Sequence, residues 1–274
     1  MRTRDMTMGA TGVVLLLASG VLAQSWTLPQ GLAVKESGPR TYRFTMNLTV
    51  ADTVGRIVQR QRVSGEYTRG LPGGEAVWKR VSVAESSGPA EISAPGQPRD
   101  FMEGFRYRTG PDSLGEAMKP DFFKGFPPTA VPERNLVWDT GMLELFGQDQ
   151  FQHLKLNTPY RLLSGQDVNM PGVGTFHNRD VQLTWLGRSQ RNGQECALIE
   201  YRAYFNPLQI DNGGMTLKGR SHYWGQIGVS LSTKQIEHAT LYEDVLGEMT
   251  LAGQGKMQII SVFRSGVFEP LARK

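Results

Sequence analysis

The sequence predicts a mainly β protein, built as a curved antiparallel meander sheet (an open or half barrel) with short helices in a central insertion. Two blocks of the chain alternate apolar with polar residues, which is typical of half-buried strands, and short polar turns join their runs. The segment between the blocks is rich in proline and in aromatic residues. Proline at this density prevents long regular elements, whereas disordered segments are poor in aromatics, so we expect an ordered insertion.

The N-terminal block, at about 40–86, contains three predicted strands. From Tyr42 to Val50 apolar residues alternate strictly with polar ones, which predicts one buried and one solvated face. Two further strand-like runs, 57–67 and 76–83, follow. We expect the third run to turn three valines to one face: Val77, Val81 and Val83.

The C-terminal block, at about 174–268, predicts an up-and-down meander, because its runs follow one another through short polar turns. The last run carries large apolar residues on both faces. Both faces should therefore be covered there, by another sheet, by helices or by a bound apolar ligand. The five predicted strands begin at 181, 196, 215, 235 and 256.

The insertion, at about 87–173, is expected to pack its aromatic residues onto the sheet. Short helices are predicted at 99–107, 121–125 and 139–151, the last with Asp139 as its N-cap. Long irregular segments inside compact domains often serve as lids or binding loops.

The first 23 residues predict a secretory signal peptide. Arg2 and Arg4 precede a short apolar run, and Val21 and Ala23 supply the residues that a signal peptidase requires at positions −3 and −1. The apolar run has about half the length that a membrane-spanning helix needs. We therefore expect an exported protein, periplasmic or extracellular and not membrane-spanning after processing, with 24–274 as a single β-rich domain.

Charge and cysteine content exclude some classes of function. The formal net charge of +4 on 274 residues gives no argument for a nucleic-acid partner. The single cysteine, Cys196, rules out an intramolecular disulfide framework. It lies in an apolar run, which favours a buried, inert thiol over a catalytic one.

No motif predicts a cofactor, a metal or a catalytic residue. A Gly-x-Ser-x-Gly motif, a phosphate-binding loop and a dinucleotide fingerprint are all absent from the sequence. The alternative for a metal is a zinc site formed across a hairpin by His222 and His238 with Glu243 or Glu248, but isolated strand histidines are far commoner.

Aromatic residues supply the candidates for a ligand site. Tyr223 and Trp224 are neighbours in a strand and so point to opposite faces, which means that only one can enter a given pocket. Core packing is the favoured interpretation of both, and the functional alternative places Trp224 under the insertion as one wall of a pocket. The candidate ligand-binding residues are Trp224, Tyr223, Phe122, Phe123, Trp138 and Phe263.

The run 219–225, followed by 229–233 and 236–243, resembles secreted bacterial β-sheet proteins of unassigned function. A glycine–tyrosine strand, a short turn and a returning strand with Glu243 form this resemblance. In architecture the chain also looks like the lipoprotein-carrier (LolA-like) class, in which a curved antiparallel sheet holds an apolar ligand beneath short helices. The resemblance concerns strand layout and shares no functional motif.

Three functions remain open from the sequence. The first is an exported non-enzymatic binding protein that holds an apolar or amphipathic ligand, such as a lipid, in the curved sheet with the insertion as lid. The second is a cell-envelope structural or protein-interaction module, favoured if the insertion alone buries the sheet. The third is a secreted hydrolase with a noncontiguous site, favoured if His222 and His238 meet Glu243 or Glu248 in one cleft.

Overall fold

A computed structural model of the protein describes residues 27–163, 166–211, 213–253, 255 and 257–272. The predicted signal peptide lies outside these described residues. They form thirteen strands in one antiparallel sheet that is not closed into a barrel, together with a few short helices. This confirms the mainly β class and the open antiparallel sheet.

The N-terminal block forms the three long strands that alternation predicts. They are β1 (Arg40–Asp52), β2 (Ile57–Leu71) and β3 (Glu75–Ser87).

The insertion combines short strands with two helices. The second helix continues without a break into a π-helical turn, Leu145–Asp149, and single 3-10 turns occur at Asp100–Met102 and Phe151–His153. Its named elements are β4 (Gln97–Pro98), β5 (Arg106–Arg108), α1 (Ser113–Ala117), α2 (Val131–Glu144), β6 (Tyr160–Leu163) and β7 (Gln166–Met170), and β8 (Gly174–Asn178) follows directly at the start of the C-terminal block.

The C-terminal block forms the predicted five-stranded meander. Its strands are β9 (Val181–Arg191), β10 (Gln194–Asp211), β11 (Met215–Ser230), β12 (Ile236–Leu251) and β13 (Met257–Pro270).

The two blocks join because β1 pairs with β13, so the strand order is β4-β3-β2-β1-β13-β12-β11-β10. The sheet divides at β10. The first half of β10 pairs with β9, and β9 pairs with β6. The second half of β10 pairs with β8, and β8 pairs with β7.

The helices predicted in the insertion have the wrong bounds. Segment 99–107 forms one 3-10 turn and then β5, because its backbone pairs with β3: the Trp78 N–H donates to the Phe105 carbonyl at 2.9 Å. Segment 121–125 forms turns. The third helix begins at Val131, since a proline is favourable in a first turn, and Asp139 is therefore inside α2 and not its N-cap.

The prediction that three valines of β3 share a face is wrong for Val77. The ladder with β2 shifts register after Ser64, and Arg80 has a left-handed φ of 50°. This bulge reverses the alternation. Val81 and Val83 therefore point into the main core, whereas Val77 is buried on the other side of the strand.

One face of the sheet, called here the inner face, packs against the insertion. The π-helical turn lies directly on β11, since a Cβ added to Gly147 would be 3.0 Å from Ile227 Cγ2 and 3.2 Å from Val229 Cγ2. Trp185 of β9 and Tyr201 of β10 belong to the same core. The π-helical turn is thus tightly packed on the inner face.

Buried ion pairs hold α2 on this face. Glu144 Oε1 accepts hydrogen bonds from Arg69 Nη1 at 2.7 Å and from the Tyr67 hydroxyl at 2.9 Å. Five residues earlier in α2, Asp139 pairs with Arg264 of β13. No helix within the described ranges is long and apolar enough to cross a membrane.

Candidate functional site

A cavity of about 150 Å³ lies between α2, the β7–β8 hairpin and the inner face of the sheet. Most of its walls are apolar, and they come from helices and strands alike. They include Leu114, Trp138, Met142, Val168, Phe176 and Leu241.

The side chains of the α2 segment that line the cavity are spaced by about one helical turn. Asn135, Trp138, Met142 and Leu145 succeed one another at intervals of three or four residues, so they lie on one side of the helix. Leu114 of α1 packs against this helix: a Cβ added to Gly141 would be 3.3 Å from Leu114 Cδ1.

The floor of the cavity is a row of side chains across three neighbouring strands. Tyr223 of β11 lies opposite Glu243 of β12, and Glu243 lies opposite Arg264 of β13. Residues that face each other in an antiparallel ladder project from the same side of the sheet. All three therefore line the cavity.

Two carboxylates share the Arg264 guanidinium at this floor. Arg264 Nη1 donates to Glu243 Oε2 at 2.5 Å, and Nη2 donates to Asp139 Oδ2. The Ser221 hydroxyl donates to the other oxygen of Glu243 at 2.6 Å. The three charged side chains are only 11–12% exposed. With both carboxylates ionised, this charged triad carries a net charge of −1.

Burial changes the protonation equilibria of the triad. Burial raises the pKa of Asp139 to about 6; Arg264 opposes this shift and the Glu243 carboxylate adds to it. Burial by itself would lower the pKa of Arg264, but the Asp139 and Glu243 carboxylates outweigh it and raise that pKa above its ordinary value. The guanidinium therefore stays charged, while Asp139 loses its proton near pH 6.

A neutral hydrogen-bonded pair completes the polar part of the lining. The Tyr223 hydroxyl donates to Asn178 Oδ1 at 2.9 Å and links the floor to β8. Burial, together with the neighbouring Glu243, raises the pKa of Tyr223, so the phenol remains a donor at neutral pH.

The structure brings two of the predicted ligand-site residues, Tyr223 and Trp138, together in the cavity. Phe122 and Phe123 lie behind it in an aromatic cluster of the insertion. Their ring centroids are 4.9 Å apart, and the Phe123 centroid is 5.4 Å from that of Trp138. They support the Trp138 wall and do not line the cavity.

Trp224 and Phe263 lie on the opposite face of the sheet, called here the outer face. Trp224 stacks on Tyr242 with ring centroids 5.8 Å apart, and Phe263 is 6.5 Å from both rings. Trp224 is therefore not under the insertion, because the strand alternation that sends Tyr223 into the cavity sends Trp224 outward.

Sequence reasoning missed the charged triad, although a signal for part of it was present. Glu243 falls within the apolar series of β12 that continues through Leu241 and Val245, and a charged residue on an apolar face indicates a buried polar site. Arg264 interrupts the inward positions of β13 in the same way. Asp139 gave no such signal, because aspartate is a common N-cap residue and the sequence predicts a cap there.

The structure does not form the alternative zinc arrangement. His222 lies on the outer face, with its ring 4.6 Å from that of Phe205, whereas Glu243 points inward. His238 lies opposite Gly228, six positions along the ladder from His222. In the part of the chain that the structure describes, no three His, Cys, Asp or Glu side chains are grouped to hold a metal ion.

Comparison with known families and with curated proteins finds no match for this chain. No sequence family therefore supports the resemblance to lipoprotein carriers. Among solved structures the chain has a weak likeness in architecture to lipovitellin, from a study of lipid–protein interactions in that protein. The TM-score is 0.41 at 12% identity, and the match covers 88% of this chain and 26% of the lipovitellin chain.

Proposed function

We propose that this is an exported, non-enzymatic binding protein, which holds the apolar part of a small amphipathic molecule in the cavity between α2 and the sheet. The observation that carries the proposal is the cavity itself, with apolar walls and a few polar groups converging at one end. This combination is typical of small-molecule sites. Export is proposed from the first 23 residues alone.

The size of the cavity limits the buried part of the ligand. An apolar cavity of about 150 Å³ in another protein binds benzene, so a single ring or a short chain fits here. Leu114, Met142 and Val168 are only half-buried and mark where the lining meets solvent. A longer lipid would place one end in the cavity and leave the remainder outside.

The chemistry of the lining supports binding over nucleophilic catalysis. Its described part contains no serine, threonine, cysteine or histidine. Its carboxylates, Asp139 and Glu243, are both held by Arg264.

Native mass spectrometry of protein purified gently from its own host, followed by organic extraction, tests this proposal. A bound apolar molecule should be retained by the wild type and lost from Leu145→Trp, which fills the cavity. The matched control is Leu246→Trp, since Leu246 is 41% exposed and lies outside the cavity. A protein that arrives empty and takes up neither a fatty-acid probe nor a small aromatic compound would contradict the proposal.

A second candidate function is a protein-interaction module of the cell envelope. The outer face keeps large apolar side chains exposed, among them Phe263 at 42% and Leu246 at 41%, next to the Trp224–Tyr242 stack. Exposed apolar patches often mark interaction sites. A photo-crosslinker at position 263 should then give one defined adduct in the host and none from position 186, which is also exposed but on β9. Equal labelling from both positions would contradict this function.

A further inference from the structure

We infer that the cavity is selective for a cation: a primary ammonium group carried on an aromatic ring or a short apolar chain, bound by Asp139 of the charged triad. This inference rests on the proposed function and specifies the ligand class of the same site. The observations that carry it are the charge balance of the triad and a carboxylate oxygen that accepts no hydrogen bond from the described residues.

The charge balance at the floor favours a positive ligand. Asp139 and Glu243 contribute two negative charges and Arg264 contributes one positive charge, all on side chains that are nearly buried. A buried charge without a counter-ion is costly, so an incoming cation gains from the uncompensated negative charge.

Asp139 is the member of the triad with unused capacity. Both oxygens of Glu243 accept hydrogen bonds, one from Arg264 and the other from Ser221. Asp139 uses Oδ2 for Arg264, and within the described residues its Oδ1 accepts no side-chain or backbone hydrogen bond. Asp139 also lines the cavity, so this oxygen is available to an N–H donor that enters it.

The same geometry disfavours an anionic ligand. Each terminal nitrogen of Arg264 already donates to a carboxylate, so the guanidinium cannot form two parallel hydrogen bonds to the carboxylate of a ligand. The other polar groups of the lining are neutral: the amides of Asn135 and Asn178 and the phenol of Tyr223. A carboxylate in the cavity would therefore meet an excess of negative charge.

Three probes with one ring and different head groups separate these possibilities. Benzylamine, benzyl alcohol and benzoate are titrated into the full mature protein at pH 7.5 by isothermal calorimetry. We expect benzylamine to bind at least tenfold more tightly than benzyl alcohol, and benzoate more weakly than either. Equal binding of all three, or tighter binding of benzoate, would overturn the inference and leave the proposed function standing. If none of the three binds, both fail.

Two variants localise the preference. Asp139→Asn keeps the size of the side chain but removes its charge, and should lower the affinity for benzylamine about tenfold while changing that for benzyl alcohol less than about twofold. Asp121→Asn is the matched control, since Asp121 is exposed on a turn and lies outside the cavity lining. If Asp139→Asn weakens both probes equally, Asp139 shapes the cavity and does not recognise the ammonium group, which would overturn the inference.

Discussion

Replacing Asp139 by Asn should make the stability difference between variant and wild type depend strongly on pH. Burial raises the pKa of Asp139 from 3.8 to about 6 in the folded protein. The folded state therefore binds this proton more tightly than the unfolded chain does. It follows that the contribution of Asp139 to stability falls as the pH rises from about 4 to about 6, and is constant above about 7.

The magnitude follows from the same two pKa values. One pKa unit corresponds to ~1.4 kcal/mol, so the full effect is about 3 kcal/mol, of which about 2 kcal/mol develops between pH 4 and pH 7.5. The asparagine of the variant does not titrate. The free energy of unfolding of the wild type minus that of Asp139→Asn should therefore be about 2 kcal/mol lower at pH 7.5 than at pH 4.

Urea unfolding at four pH values between 4 and 7.5, followed by circular dichroism, measures this difference. Asp121→Asn serves as control and should follow the wild type, because Asp121 is exposed. A difference for Asp139→Asn that stays constant, or that rises with pH, would show that folding does not raise the pKa of Asp139. It would mean that the attraction of Arg264 outweighs the burial of Asp139.

Further predictions concern packing and reactivity. Gly225→Ala should destabilise the protein by more than about 3 kcal/mol in urea unfolding, because the added Cβ would lie 2.0 Å from the Thr240 carbonyl oxygen. Gly115→Ala, whose added Cβ would meet open space on α1, should instead be neutral or stabilise the protein by up to ~1 kcal/mol. If Gly225→Ala and Gly115→Ala lose the same stability, the close approach of β11 and β12 is contradicted. Gly147→Val should destabilise the protein by about 1–3 kcal/mol, because it overpacks the π-helical turn against β11. Unchanged stability would mean that the turn is not closely packed on β11. Cys196 is buried, and burial raises its pKa to about 11, so a thiol reagent should label it only after unfolding; rapid labelling of the native protein would show that the first half of β10 opens.

The long strands were predictable from the sequence because alternation encodes which face of a strand is buried. Tyr42 to Val50, β11 and β12 follow this rule in the structure. The expectation that both faces of β13 are covered is wrong, because Met257, Ile259 and Phe263 on its outer face are 42–54% exposed. The pairing of β1 with β13 was not predictable, since alternation fixes the face of a strand and not its neighbour. Short strands such as β5 depend on hydrogen bonds to β3 that are distant in sequence, so local pattern does not identify them.

The candidate site was only partly predictable, because the local sequence pattern does not show which strands are neighbours. Tyr223 and Trp138 stand out as aromatic residues, and Glu243 breaks an apolar series, but its meeting with Arg264 depends on strand register. Asp139 resembles a helix cap in the sequence because aspartate is a common N-cap residue. A proline in the first turn of α2 is instead compatible with a helix start, and the helix that begins there brings Asp139 over the sheet.

A methyl NMR titration of residues 24–274 with benzyl alcohol tests whether the cavity binds an apolar ring. If the cavity is the binding site, saturable shift changes should appear at the methyl groups of Met142, Val168 and Leu241, which line it, and not at Leu246 on the outer face. Saturable changes at Leu246 alone, or no saturable change at any methyl group, would contradict binding in the cavity.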